Sequence, residues 1–128
     1  MTFSSKTIIL ATLALSLAYC KSKQKSVEAA PVATTTPDGK TAGELQMEIA
    51  TTRWPGTVTD ELKEGQTIYS TKCNRCHKVF DITEFSEKKW LHEIDDMSPK
   101  AKLSAEEKLK LTKYILSYRE TKEKMKGL

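Results

Sequence analysis

The sequence predicts an all-α fold, and three observations carry that expectation. Apolar residues recur at helical spacing in three separate segments. Residues suited to open a helix stand just ahead of those segments. No segment shows the period-two alternation of a half-buried strand.

The first helix is expected to start near Thr59. Its hydroxyl can cap free backbone N–H groups, and Asp60 and Glu61 suit the positive end of the helix dipole. This helix carries Leu62, Gly65, Gln66 and Tyr69 on one side and leads into Cys73. The second is expected from Ser86, with Trp90, Leu91 and Ile94 on one face. The third opens with a capping box, Ser104-Ala-Glu-Glu107. Its stripe of Leu111, Tyr114, Ile115 and Tyr118 has i, i+3, i+4, i+7 spacing. These helices place one folded domain at residues 54–128. A chain that short builds a marginal core alone and usually needs a staple.

The residues before it read differently. Residues 1–19 resemble a secretory signal peptide: Lys6 precedes an apolar run from Thr7 to Tyr19, too short to span a bilayer. The run ends Leu17-Ala18-Tyr19-Cys20, which resembles a bacterial lipobox. There Cys20 would become the lipidated first residue of the mature chain. Tyr19 departs from the small residue usual at that position, and ordinary cleavage with an incidental Cys20 is the alternative. Residues 20–53 read as this cysteine followed by a flexible linker. The stretch is rich in Lys, Ala, Thr and Pro and cannot bury enough surface to offset its ordering entropy. Gly43 to Thr52, with Leu45 and Ile49, has helical spacing but is counted with the linker.

The chemistry is concentrated in Cys73-Asn-Arg-Cys76-His77. The spacing C-x-x-C-H is the attachment signature of a c-type haem. Two thiols would add across the vinyl groups of the porphyrin, and His77 would supply the proximal imidazole. One such motif implies one covalent haem. Three other readings use the same cysteines. A structural zinc site needs four ligands, and only Cys20 and His92 remain to supply them. A redox dithiol would sit near a βαβ pattern, which is missing. A Cys73–Cys76 disulfide would close too small a loop to staple a fold.

The segment Leu62-Lys-Glu-Gly65-Gln-Thr-Ile-Tyr69-Ser-Thr-Lys-Cys73-Asn-Arg-Cys76-His77 is similar to the first helix and haem motif of class I c-type cytochromes. The second half is similar too: Trp90 on a helix, Met97 a few residues on, then Leu103-Ser104 opening the last helix. The resemblance covers about residues 58–118. It implies a small cytochrome c-like helical domain wrapped around one haem. Gly65 would pack across the last helix, facing Tyr114 or Tyr118. Met97 would be the sixth ligand, on a loop stiffened by Pro99. His/Met ligation raises the reduction potential. His92 is the rival ligand, while Met47 and Met125 fall in the linker and the charged tail. Ile68, Tyr69, Phe80, Trp90, Leu91, Ile94, Leu103, Leu111 and Ile115 are expected to wall the haem. Only 19 residues separate His77 from Met97, so one haem edge should be more exposed than in larger relatives.

Charge adds little. The chain carries a formal +4. Losing Lys6 with the leader leaves 20 basic against 17 acidic residues, a formal +3. Two propionates would lower it further, so no nucleic-acid partner is expected. Lys72, Arg75, Lys78, Lys88, Lys89, Lys100 and Lys102 could form a basic docking rim for an acidic redox partner, but acidic residues are interleaved.

The resemblance therefore implies an exported, membrane-anchored monohaem carrier. It would pass single electrons between extracytoplasmic partners such as an oxidase, a reductase or another cytochrome. No catalytic residues are read. The alternative is a gas- or small-ligand-binding module with a labile sixth position. A peroxidase-like enzyme would need distal acid–base groups, and only His92 offers one.

Overall fold

The computed structural model describes residues 35–76 and 78–127. The leader 1–19, Cys20 and His77 lie outside them. Among the described residues, four α-helices form: α1 (Ala42–Arg53), α2 (Thr59–Thr71), α3 (Glu87–Lys100) and α4 (Ala105–Lys126). Short 3₁₀ turns at Cys73–Arg75 and Ile82–Glu84 link α2 to α3. No strand forms among these residues, only an isolated bridge between Thr35 and Thr41. The all-α expectation holds.

Helix α1 corrects the linker boundary at residue 53. Thr41 and Glu44 form a capping box, with the Glu44 N–H donating to the Thr41 hydroxyl and the Thr41 N–H to the Glu44 carboxylate. Leu45, Ile49 and Ala50 are buried as α1 packs along α4. Gln46 donates to the Ser117 hydroxyl of α4 at 3.2 Å. Ser117 and Thr121 are themselves buried, and their hydroxyls donate to carbonyls of their own helix. Small side chains here let α1 lie close. Burying a side chain such as Ile49 contributes about 1.5–3 kcal/mol, so this segment belongs to the folded domain. At its end Arg53 pairs with Glu87 at 2.6 Å and Glu120 at 3.4 Å, linking α1 to α3 and α4.

Helix α2 starts at Thr59 as expected, but its cap lies one residue earlier. Val58 takes the N-cap position and Thr59 is the first helical residue. Valine offers no oxygen, so Glu61 accepts the Val58 N–H at 3.3 Å and does half the work of a cap. The main contact of the fold is α2 across α4. Gly65 lies at the crossing, where an added Cβ would stand 2.3 Å from the Lys110 carbonyl oxygen and 2.6 Å from the Tyr114 Cβ. Tyr114, rather than Tyr118, is the facing residue. Ion pairs flank the crossing, Glu61 with Lys113 at 2.9 Å and Glu64 with Lys110 at 2.6 Å.

Helices α3 and α4 start where expected, capped by Ser86 and by the Ser104–Glu107 box. The end of α3 is a further correction, because Met97 stands inside the helix and not on a loop. Pro99 falls in the last turn. The N–H it lacks would have bonded only residue 95, while Ala101 still donates to the Met97 carbonyl. The chain then leaves through a Schellman turn: Lys102 takes φ 54°, its N–H donates to Pro99, and that of Leu103 to Ser98 at 2.9 Å. This exit turns Leu103 back toward the core, against which it packs.

Candidate functional site

An open apolar groove lies between the end of α2, the loop after it, α3 and α4.

Cys73 and Cys76 both line the groove. Cys73 opens the 3₁₀ turn that follows α2, and Cys76 is the residue that ends it. Cys73 is half-buried and Cys76 exposed. Burial pushes the Cys73 thiol up from its ordinary range. Among the described residues no group of three or more His, Cys, Asp or Glu could hold a metal ion.

One wall is α3. Trp90, Ile94 and Met97 line the groove from one face of it, at i, i+4, i+7. Met97 is half-buried. The floor comes from Tyr69 of α2 with Leu111 and Ile115 of α4, and Leu103 closes the end. The aromatic groups are fixed by polar contacts. The Trp90 indole N–H donates to the Ile82 carbonyl at 2.7 Å, and the Tyr69 hydroxyl donates to the Phe80 carbonyl. Burial raises the Tyr69 phenol far above its ordinary range, so it stays a neutral donor. Tyr69 and Trp90 meet edge to face at 6.0 Å between centroids.

Of the predicted wall, Tyr69, Phe80, Trp90, Ile94, Leu103, Leu111 and Ile115 line the groove. Phe80 stands at its mouth, 45 % exposed. Two expected residues do not line it. Leu91 points away, 42 % exposed, because it follows Trp90 by one position and so turns about 100° around α3. Ile68 is buried in the core behind Tyr69. His92 is exposed and pairs with Asp96 at 3.6 Å, so it stands outside the groove. Of the expected ligands, Met97 is therefore present in the groove, and His77 lies outside the described residues.

Five lining residues fall outside those expected from the sequence, Val79, Phe85, Glu93, Ser98 and Ala101, and two of them bear on the site. Phe85 stacks against Trp90 at 5.3 Å and against Phe80 at 4.9 Å. Phe85 and Trp90 occupy the N′ and N4 positions around the Ser86 cap, which is the spacing of a hydrophobic staple and would have revealed it. Arg119 donates to the Phe85 carbonyl at 2.7 Å and holds the loop to α4. Glu93 is the other omission, one turn before Met97.

The basic rim is partly neutralised. Lys72 pairs with Glu107 at 2.5 Å and Lys89 with Glu93 at 2.6 Å. No helix among the described residues is long and apolar enough to cross a membrane.

The residues present fit a covalently held, apolar prosthetic group: two thiols and a thioether line one groove with an apolar floor of Tyr69, Leu111 and Ile115. Comparison with known proteins adds no relative, since no family model, no curated protein and no solved structure matches the chain.

Proposed function

We propose that this chain is a monohaem c-type cytochrome that carries single electrons between extracytoplasmic redox partners. The observation that supports it best is that both cysteines of the C-x-x-C-H motif and Met97 line one apolar groove. Cys73 and Cys76 would hold haem c through thioethers, and His77 and Met97 would be the iron ligands. The haem supplies a one-electron couple in which Met ligation favours the reduced state.

The chain's own residues then have defined tasks. Tyr69, Leu111 and Ile115 would give the haem an apolar floor. Trp90 and Tyr69, each satisfied by a backbone carbonyl, keep that floor rigid without offering a free acid or base. Such a site suits electron transfer. Partners would be an oxidase, a reductase or another cytochrome, met at the groove mouth around Phe80 and Cys76.

The deciding measurement is the optical spectrum of protein matured in an exporting host, oxidised and reduced, with and without carbon monoxide. A low-spin c-type spectrum with the weak near-infrared Met-to-iron band, unmoved by carbon monoxide, is expected. A high-spin spectrum that shifts with carbon monoxide would favour a ligand-binding module instead. A chain without covalent haem would overturn both readings.

The leader and Cys20 would anchor the carrier on a membrane as a lipoprotein, since several acyl chains on one residue give stable anchoring. Cys20→Ser is expected to move the haem protein from the membrane fraction to the soluble one. Unchanged membrane association would rule this anchor out.

A further inference from the structure

Beside Met97 the groove carries a charge. Glu93 lies one helical turn before Met97, and both line the groove. Among the described residues, Glu93 is the single acidic side chain in that lining. The cations there are Lys100 on the same helix and Lys72 at the end of α2. Lys72 is held by Glu107 of α4. Glu93 is paired with Lys89 at 2.6 Å, and the two are unequally enclosed: the Glu93 side chain is 28 % exposed and that of Lys89 49 %. Glu93 is thus the more enclosed partner and Lys89 the more exposed one. Lys89 keeps the Glu93 carboxyl below its ordinary range, so the charge is present at neutral pH.

We propose that Glu93 tunes the reduction potential of the group held in this groove, with Lys89 as its counterweight. This rests on the haem reading above. When the reduced carrier gives one electron to its partner protein, the iron gains one positive charge. A fixed carboxylate nearby stabilises that oxidised state and lowers the potential. Lys89 opposes the effect from further out, where water screens it more. A unit charge about 10 Å away at an effective dielectric of about 20 shifts such an equilibrium by roughly tenfold.

The test is a spectroelectrochemical titration of the matured holoprotein, its Glu93→Gln variant and its Lys89→Gln variant. Glu93→Gln is expected to raise the reduced-to-oxidised ratio at fixed potential by roughly tenfold, about 59 mV for one electron. Lys89→Gln is expected to shift the midpoint the other way. The near-infrared Met band serves as the structural control and should persist in both. Opposite shifts support the assignment, since general loosening of the pocket would move both variants together. A Glu93→Gln midpoint within a twofold ratio of the parent overturns it, as do shifts of the same sign. Parent protein that takes up no haem fails the underlying reading, and that failure is visible before either variant is made.

Discussion

Met97→Ala is expected to turn a haem protein that ignores carbon monoxide into one that binds it when reduced. Met97 lines the groove from inside α3, and its carbonyl accepts the Ala101 N–H that closes the helix. Alanine is the best helix former and keeps that backbone bond, so the substitution removes the thioether and little else. With the sixth position open, the ferric protein should become high-spin and lose the near-infrared band. The midpoint should fall, because the Met ligand raises it. His92→Ala is the matched control. Its side chain is 64 % exposed and turned to Asp96, so spectrum and potential should not change. The ligand assignment would be wrong if Met97→Ala left the ferric spectrum as it was, and a response to His92→Ala would name the replacement.

The largest loss of stability is expected from Gly65→Ala. Two effects oppose each other. Alanine gains about 1 kcal/mol of helix propensity over glycine. Its Cβ, however, would stand 2.3 Å from the Lys110 carbonyl oxygen and 2.6 Å from the Tyr114 Cβ. Neither atom can swing aside, since one is backbone and the other is fixed to it. Helices α2 and α4 must separate, and overpacking of this kind costs about 1–3 kcal/mol, occasionally more. With no room for a rotamer to relax, the upper end applies and the net loss is about 2 kcal/mol. For a domain of this size that lowers Tm by roughly 10 °C. Thermal unfolding of the matured protein, followed by circular dichroism in the helical band, measures it. A variant that melts with the parent would show that the helices do not cross this closely.

Much of this arrangement was legible in the chain because its signals are local. Ser86 and Ser104 cap the helices they were expected to cap, and Gly65 meets Tyr114, one of the two tyrosines the resemblance left open. Trp90, Ile94 and Met97 share a helical face whether Met97 ends a helix or follows one. What the sequence hid depends on tertiary packing. Helix α1 shows only Leu45, Ile49 and Ala50 to the core. So thin a stripe among threonines and glutamates has the composition of a linker, and it becomes a helix because α4 offers small residues to receive it. The Thr41–Glu44 box was the local sign that outweighed composition. Pro99 suggests a loop around Met97, yet a last-turn proline costs only one bond and the helix runs on through it. Leu91 looked like wall because it is apolar; the true partner of Trp90 was Phe85, on the far side of the cap.

The crossing at Gly65 also has a meaning for the order of events in folding. Tyr114 follows Gly65 by 49 positions, and every residue of the groove from Tyr69 to Leu111 lies in the loop between them. Closing a flexible loop of that length costs about 3 kcal/mol of chain entropy. Once α2 and α4 meet, that cost is met for all the intervening residues together. The two thiols and Met97 then search a small volume instead of an open coil. Helix docking thus acts as a topological latch, and the site between its jaws is assembled by closure of the chain around it.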